Sequence, residues 1–303
     1  MPELPEVETI VSDLNRKIKG DVITDFWSDA PKTLKNITAE KFRKEIVGRK
    51  IIGAHRIGKN MFIDLTGGKT MYIHLKMTGH LLVKSHPDSL DLTHNPSPYK
   101  GEGGNANMVK NIFFNDRVNQ YIHHIWTLGK NKTLEFSDMR KFAKIVLLDT
   151  KSLKDYKDIT TLGVDAMSPN FTFTKFQEIL NKHTKKPIGI ILMDQNLIAG
   201  IGNIYRSEIL FEAGILPERL VRDLSEKERK DVYKNIKIVL KKAIKLRGTS
   251  DSDYRDTSGA PGNFHKVLKV YRREKKKCQR CGTIIVREKM GGRSVFFCPK
   301  CQV

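Results

Sequence analysis

No apolar run in this sequence approaches the roughly 20 residues that a membrane-spanning helix needs. Its first residues are acidic, where a secretory leader would be basic and then apolar. Cysteine is missing from the first 277 positions, and all four cysteines fall at or after residue 278. A disulfide framework spread through the chain, the mark of an oxidising compartment, is therefore excluded. Negative charge is also scarce. Against 55 Lys and Arg stand 34 Asp and Glu, for a formal net charge of +21. Such an excess points to a polyanionic partner. With no spanning helix and no leader, a nucleic acid fits better than a membrane surface, and the expected location is cytoplasmic or nucleoid-associated. At 303 residues the chain is long enough for two or three domains, each with its own core.

What is present is most specific at the tail. Cys278-x2-Cys281-x16-Cys298-x2-Cys301 has the spacing of a four-cysteine zinc site. Four protein ligands leave no open position, so the ion is structural. Between the pairs, Thr283–Glu288 and Ser294–Phe297 alternate as two strands around a Met290-Gly291-Gly292 turn. Arg293 is thus expected near the tip of a hairpin too small to fold without the metal.

The other end carries a nucleophile. If Met1 is removed, Pro2 becomes a secondary amine with an ordinary pKa of about 7.7–8.0. A neutral amine attacks carbonyl carbons and forms Schiff bases. Val7, Ile10, Val11, Leu14 and Ile18 recur at helical spacing between Pro5 and Gly20, which suit the start and end of a helix. Pro2 would sit just before that helix, with Glu3 beside it to move protons. With Met1 attached, the Pro2 nitrogen is an amide and attacks nothing.

The start Pro-Glu-Leu-Pro-Glu-Val-Glu-Thr resembles the N-terminus of the formamidopyrimidine-DNA glycosylase (Fpg/Nei) family of base-excision enzymes, and the resemblance recurs along nearly the whole chain. It implies Pro2 as the nucleophile on the sugar of a damaged nucleotide and Glu3 as its proton-transfer partner. Residues 50–57, 60–65 and 71–75 read as strands, with Lys59 at a tight bend after Gly58. In the family such a bend lysine reaches the phosphate beside the lesion, a role that falls here to Lys59. His74-Leu75-Lys76-Met77-Thr78-Gly79 is similar to the family's His-Leu-Gly-Met-Ser/Thr-Gly, where the methionine wedges into the space left by an extruded base. Residues 85–111, rich in Pro, Gly and Asn, read as a long surface insertion without assigned chemistry.

Strands are expected again over 121–128 and 133–136, and Tyr121 stands where many members carry a DNA-contacting histidine. Asp138-Met139-Arg140-Lys141-Phe142-Ala143 resembles the family's Asp-Pro-Arg-Arg-Phe-Gly loop. The resemblance sends Arg140 to the orphaned partner base, Lys141 to a phosphate and Phe142 to a wedge; arginine's planar fork suits a base edge. Residues 151–247 read as helical, and Gly200-Ile201-Gly202-Asn203 precedes a helix that stops at Gly214. Glycines before a helix start let a phosphate approach backbone N–H groups. The run resembles the family's helix–two-turn–helix element, which makes Asn203 a phosphate ligand. Where the purine-directed members read Pro-Ile-Lys, this chain has Pro187-Ile188-Gly189, with Lys185 and Lys186 nearby. The glycine-rich stretch 247–264 matches a loop that folds over the extruded base by backbone groups. Arg293-Ser294 matches the family's hairpin-tip arginine, which grips the lesion phosphate and assists the second elimination.

The expected architecture is multidomain α+β. An N-terminal catalytic domain with a helix and a β-sandwich spans 1–150, a helix–two-turn–helix domain with the capping loop 151–262, and a zinc hairpin 263–303. The implied activity is a bifunctional DNA glycosylase and abasic-site lyase of base-excision repair. It would act on oxidised purines such as 8-oxoguanine and formamidopyrimidine in double-stranded DNA, or on abasic sites, through a Schiff base on Pro2. One structural zinc and a monomeric state go with it. Two alternatives stand beside it: the same chemistry on oxidised pyrimidines, and a non-catalytic binder of damaged DNA. A basic zinc-ribbon protein binding RNA or a ribosome would explain the charge and the cysteines but not Pro2, Met77, Arg140 and Asn203.

Overall fold

The computed structural model describes residues 1–85, 112–129, 131–251 and 253–303. Residues 86–111, nearly all of the expected insertion, lie outside the described residues. By internal contacts the chain forms two units. One holds Met1–Pro2, Glu6–Tyr156 and Thr249–Gly262; the other holds Glu3–Pro5, Lys157–Gly248 and Asn263–Val303.

The first unit takes the amphipathic helix α1 (Leu4–Lys17) from Glu6 onward, followed by β1 (Ile23–Ser28), β2 (Leu34–Lys35) and the short helix α2 (Ala39–Ile46). The strands β3 (Ile51–Ile57), β4 (Asn60–Leu65), β5 (Lys69–His74), β6 (His80–Ser85), β7 (Ile122–Leu128), β8 (Lys132–Ser137) and β9 (Lys144–Asp149) complete it. One sheet has the order β2-β9-β5-β4-β3 and the other β1-β7-β8-β6. Their facing side chains meet in a single core. Met61, Ile63, Met71, Ile73 and Ile145 come from the first sheet, and Phe26, Leu81, Trp126, Leu134 and Phe136 from the second. Val7, Ile10, Val11, Leu14 and Ile18 cover the core from α1 and just beyond it, which is why that periodicity exists. Burial of these apolar groups, at about 25 cal/mol per Å2, is the main force holding the sandwich.

Thr249–Gly262 joins this unit through specific bonds. Glu6 accepts the Thr249 N–H at 2.7 Å, and Asp13 accepts the Thr257 hydroxyl at 3.0 Å. Lys17 Nζ donates to Thr257 and Ser258 at 2.8 and 2.7 Å. The Val83 N–H donates to the Thr257 carbonyl, and Asn119 Nδ2 to the Gly259 carbonyl at 3.1 Å. Arg255 and Asp116 form an ion pair at 2.7 Å. Side chains, and not backbone groups alone, fix where this stretch lies.

The second unit is helical. It contains α3 (Lys157–Thr160), β10 (Val164–Asp165), α4 (Phe173–Asn181), α5 (Ile188–Ile191), β11 (Ile198–Ala199), α6 (Asn203–Ala213), α7 (Glu226–Lys245) and the hairpin β12 (Val286–Met290) and β13 (Arg293–Phe297). Ser225 and Glu228 cap the start of α7 reciprocally. Gly214, at φ +73°, closes α6 in the left-handed conformation that glycine takes without strain. Phe176, Ile191, Tyr205, Leu210, Ile236, Leu240 and Phe296 share one core with Cys278 and Cys298, so the hairpin is packed into the helical unit. Among the described residues no helix is long and apolar enough to cross a membrane.

Candidate nucleic-acid interface and metal centre

In the first unit, two loops distant in sequence place their side chains together. Met77 lies between β5 and β6, and Arg140 and Phe142 lie between β8 and β9. Arg140 Nη1 contacts Met77 Sδ at 3.1 Å, and the Arg140 guanidinium lies 4.5 Å from the Phe142 ring centre. Met77 is 46% exposed and Phe142 54% exposed, so neither is a core residue. The two loops are pinned by Asp138, the first residue of the Asp138–Ala143 motif, to which the sequence assigns no role of its own. Its buried carboxylate accepts the Thr78 hydroxyl, the Arg140 N–H at 3.3 Å and the Ala143 N–H at 2.9 Å. An aspartate at the first position of a turn was the available signal. Lys76 and Lys141 flank the cluster with φ of +55° and +52°, conformations that cost a side-chain-bearing residue about 1 kcal/mol or more. Lys141 is exposed.

Lys59 sits in a two-residue turn between β3 and β4, after Gly58 at φ +58°. It is 6% exposed, which excludes an ordinary solvated turn lysine. Pro2 is buried, while Met1 before it is 41% exposed.

In the second unit, Glu3 occupies the start of α6. Its carboxylate accepts the N–H groups of Gly202 at 2.7 Å, Ile204 at 2.9 Å and Tyr205 at 3.4 Å. The positive end of the helix therefore binds a carboxylate of the chain itself, where the sequence had offered it to a phosphate. The glycines serve this contact. A Cβ on Gly202 would stand 2.3 Å from Glu3 Cδ, and one on Gly200 would stand 2.5 Å from Leu4 Cδ1.

Asn203, first residue of α6, is half-buried and is held by Arg206, which donates from Nη2 to Asn203 Oδ1 at 2.5 Å. Arg206 is 1% exposed and also donates to the carbonyls of Ser294 at 3.2 Å and Gly189 at 3.5 Å. Burial pulls its pKa down to about 10, with the Arg293 charge acting the same way and Glu3 opposing, so it stays cationic at neutral pH. No motif marked Arg206 in the sequence. Its partners lie three, 17 and 88 residues away. Asn203, Arg293 and Ser294 line a cavity of about 600 Å3. Gly189 is buried in α5, and a Cβ there would stand 2.8 Å from the Pro217 carbonyl oxygen and 3.1 Å from Met290 Sδ. The lysine expected at this position has no room.

The four cysteine sulfurs lie within 4.8 Å of one another. Cys278 and Cys301 approach to 3.9 Å and Cys281 and Cys298 to 3.5 Å. A tetrahedral zinc with Zn–S bonds of about 2.3 Å separates its sulfurs by about 3.8 Å, so the four thiols fit one structural zinc ion. The hairpin register pairs Met290 with Arg293 across Gly291-Gly292, which puts Arg293 at the tip, and it is exposed there. The first strand begins at Val286, three residues later than its sequence suggests. Thr283 and Ile285 instead bond back to Cys278, Lys275 and Lys276 to close the first cysteine turn.

Three family models cover the chain. The formamidopyrimidine-DNA glycosylase N-terminal domain matches residues 1–145, the H2TH domain of the same glycosylase matches 162–255, and the zinc finger found in FPG and IleRS matches 275–303. Formamidopyrimidine-DNA glycosylase from Carboxydothermus hydrogenoformans is 35% identical over 302 residues, covering 100% of both chains. The one from Pelotomaculum thermopropionicum is 37% identical over 305 residues, covering 100% of this chain and 99% of its own. Among solved structures, Lactococcus lactis Fpg bound to abasic-site DNA superposes with a TM-score of 0.82 at 30% identity over 99% of each chain. MutM bound to DNA containing carbocyclic 8-oxo-G gives 0.80 at 30% identity and the same coverage. With relatives above 30% identity along its full length and family models over both ends and the middle, the chain belongs to the formamidopyrimidine-DNA glycosylase family.

Proposed function

We propose that this protein is a bifunctional DNA glycosylase and abasic-site lyase that works through the amine of Pro2 once Met1 is removed. The Pro2 nitrogen attacks C1′ of the extruded nucleotide, and the glycosidic bond breaks as the damaged base leaves with a proton. The C1′–O4′ bond then opens, with a proton passing to O4′, and the iminium left between Pro2 and C1′ acidifies the C2′ hydrogen. Loss of that proton breaks the C3′–O bond, and a second elimination breaks C5′–O, leaving both phosphates on the DNA ends. Glu3 moves protons beside Pro2, and Lys59 and Arg293 hold phosphates or carry protons. Met77, Arg140 and Phe142 fill the gap in the duplex, while Lys141 and Asn203 hold phosphates. Filling the gap offsets the few kcal/mol that unstacking a base costs.

The observation that carries this reading is the exposed cluster of Met77, Arg140 and Phe142. Two large apolar side chains stand exposed beside an arginine at the surface, and a duplex from which a base has been extruded offers a space that such a wedge fills. Oxidised purines are the proposed lesions. Oxidised pyrimidines are the second reading, favoured by the lack of room for a lysine at Gly189. A solved Lactococcus lactis Fpg complex holds an oxidised pyrimidine in DNA. The test is borohydride trapping on abasic and 8-oxoguanine duplexes after Met1 removal, verified by mass. A covalent adduct at Pro2, lost in Pro2→Gln, is expected; no adduct from the processed protein overturns the reading. A panel of purine and pyrimidine lesions then separates the two substrate classes.

A further inference from the structure

The cavity at the hairpin tip has more positive charge than the proposed phosphate ligands Asn203 and Arg293 account for. Arg272 and Arg287 also line it, with one acid, Glu274. The Glu274 carboxylate meets Arg287 Nη1 at 3.4 Å. Arg272 is exposed, and its backbone lies at φ +51°. Seven described non-glycine residues have a positive φ, and of these Arg272 alone lines this cavity. Glycine takes that conformation freely, whereas an arginine holds it at a cost, and such outliers concentrate at binding sites. The segment before it is fixed. The buried carboxylate of Glu208 accepts the N–H groups of Lys269 at 2.8 Å, Val270 at 3.0 Å and Tyr271 at 2.9 Å. Those bonds tie α6, which begins with Asn203, to the residue before Arg272.

We infer that Arg272 is a further DNA-backbone ligand, holding a phosphodiester in the same cavity as Asn203 and Arg293, and that the strained backbone persists for this purpose. The inference rests on the glycosylase reading for its ligand, a duplex. A guanidinium is permanently charged and donates in a planar fork that matches two phosphate oxygens. Each phosphate neutralised releases about 0.9 of a counterion and steepens the fall of affinity with salt by that amount.

The test is Arg272→Gly, which relieves the backbone, beside Arg272→Lys, which keeps the charge. Binding to a lesion-free duplex is measured from 0.05 to 0.3 M salt, together with melting temperature. Arg272→Gly is expected to melt no lower than the parent, yet to show a log–log salt slope shallower by about 0.9 and affinity about eightfold weaker at 0.1 M. Arg272→Lys should keep the parental slope. A parental slope in Arg272→Gly overturns the inference, as does an equal loss of slope in both variants. Because this readout needs no lesion and no free amine, it stands apart from borohydride trapping. Failure to trap an adduct would remove the glycosylase reading and leave the slope as measured.

Discussion

Arg206 donates to the side-chain oxygen of Asn203 across 2.5 Å and thereby sets which way that amide faces. A guanidinium has donors only, so it claims Oδ1 and turns the Nδ2 donors toward the cavity where a phosphate would lie. Asn203→Asp is expected to keep the bond to Arg206, and so to melt at or above the parental temperature. Abasic-duplex affinity should nevertheless fall at least tenfold, because a carboxylate would face the phosphate where a donor had been. Arg206→Met should lose both properties, with stability down by about 1–3 kcal/mol because the partners of the lost cation are left unpaired in a buried site. Parental DNA affinity in Asn203→Asp would remove the amide from the interface.

Zinc removal should act on DNA binding before it acts on the rest of the fold. Cys298 and Cys278 are buried in the core of the helical unit, and the hairpin between the cysteine pairs presents Arg293 at its tip. One zinc per chain is expected by elemental analysis. Its chelation, or Cys298→Ser, should abolish duplex binding at 0.1 M salt while the sandwich core of the first unit still unfolds cooperatively, because that core contains no metal ligand. Re-addition of zinc should restore binding to the chelated protein. Binding that survives with no zinc bound would contradict the assignment.

Substitution at Gly189 measures whether this position can take a side chain at all. With 2.8 Å between a built Cβ and the Pro217 carbonyl, Gly189→Lys must displace backbone. Gly189→Ala and Gly189→Lys should each lose about 1–3 kcal/mol in urea titrations, in the range of an overpacked core. Neither should gain activity on 8-oxoguanine. A lysine variant of parental stability would show that the space can open.

Much of this was legible in the sequence, and the remainder has a common physical cause. The periodicity of Val7, Ile10, Val11, Leu14 and Ile18 gave α1 because a helix covering a sandwich must place one stripe inward. The cysteine spacing gave the metal site because four thiolates around one ion constrain local chain geometry. The resemblance gave Met77, Arg140 and Phe142, and the structure brings these three together. What stayed hidden were the residues that hold others. Asp138 and Arg206 act through partners up to 88 residues away, and no local pattern encodes such contacts. The amides at the start of α6 were misjudged for the same reason. Their ligand, Glu3, lies about 200 residues upstream.

Acid sensitivity should trace in part to His124. Its ring is buried between the sheets, with Nε2 2.7 Å from the Thr33 hydroxyl, and burial pulls its pKa down from 6.5 to about 3, aided by neighbouring His123 and opposed by Asp29. Unfolded, the ring takes up a proton below pH 6.5; folded, it resists one. The native state is therefore fully favoured above pH 6.5 and loses that advantage as pH falls toward 3, by about 1.4 kcal/mol per unit. His80, buried beside Asn119, shifts in the same direction and adds to the loss. In urea titrations at pH 7, 6, 5 and 4.5, the parent should lose stability faster than His124→Gln. Any advantage of the parent at pH 7 should then shrink by about 1.4 kcal/mol per unit below pH 6.5. A difference between the two proteins that stays constant over this range would show that the ring at 124 takes up its proton equally well folded and unfolded.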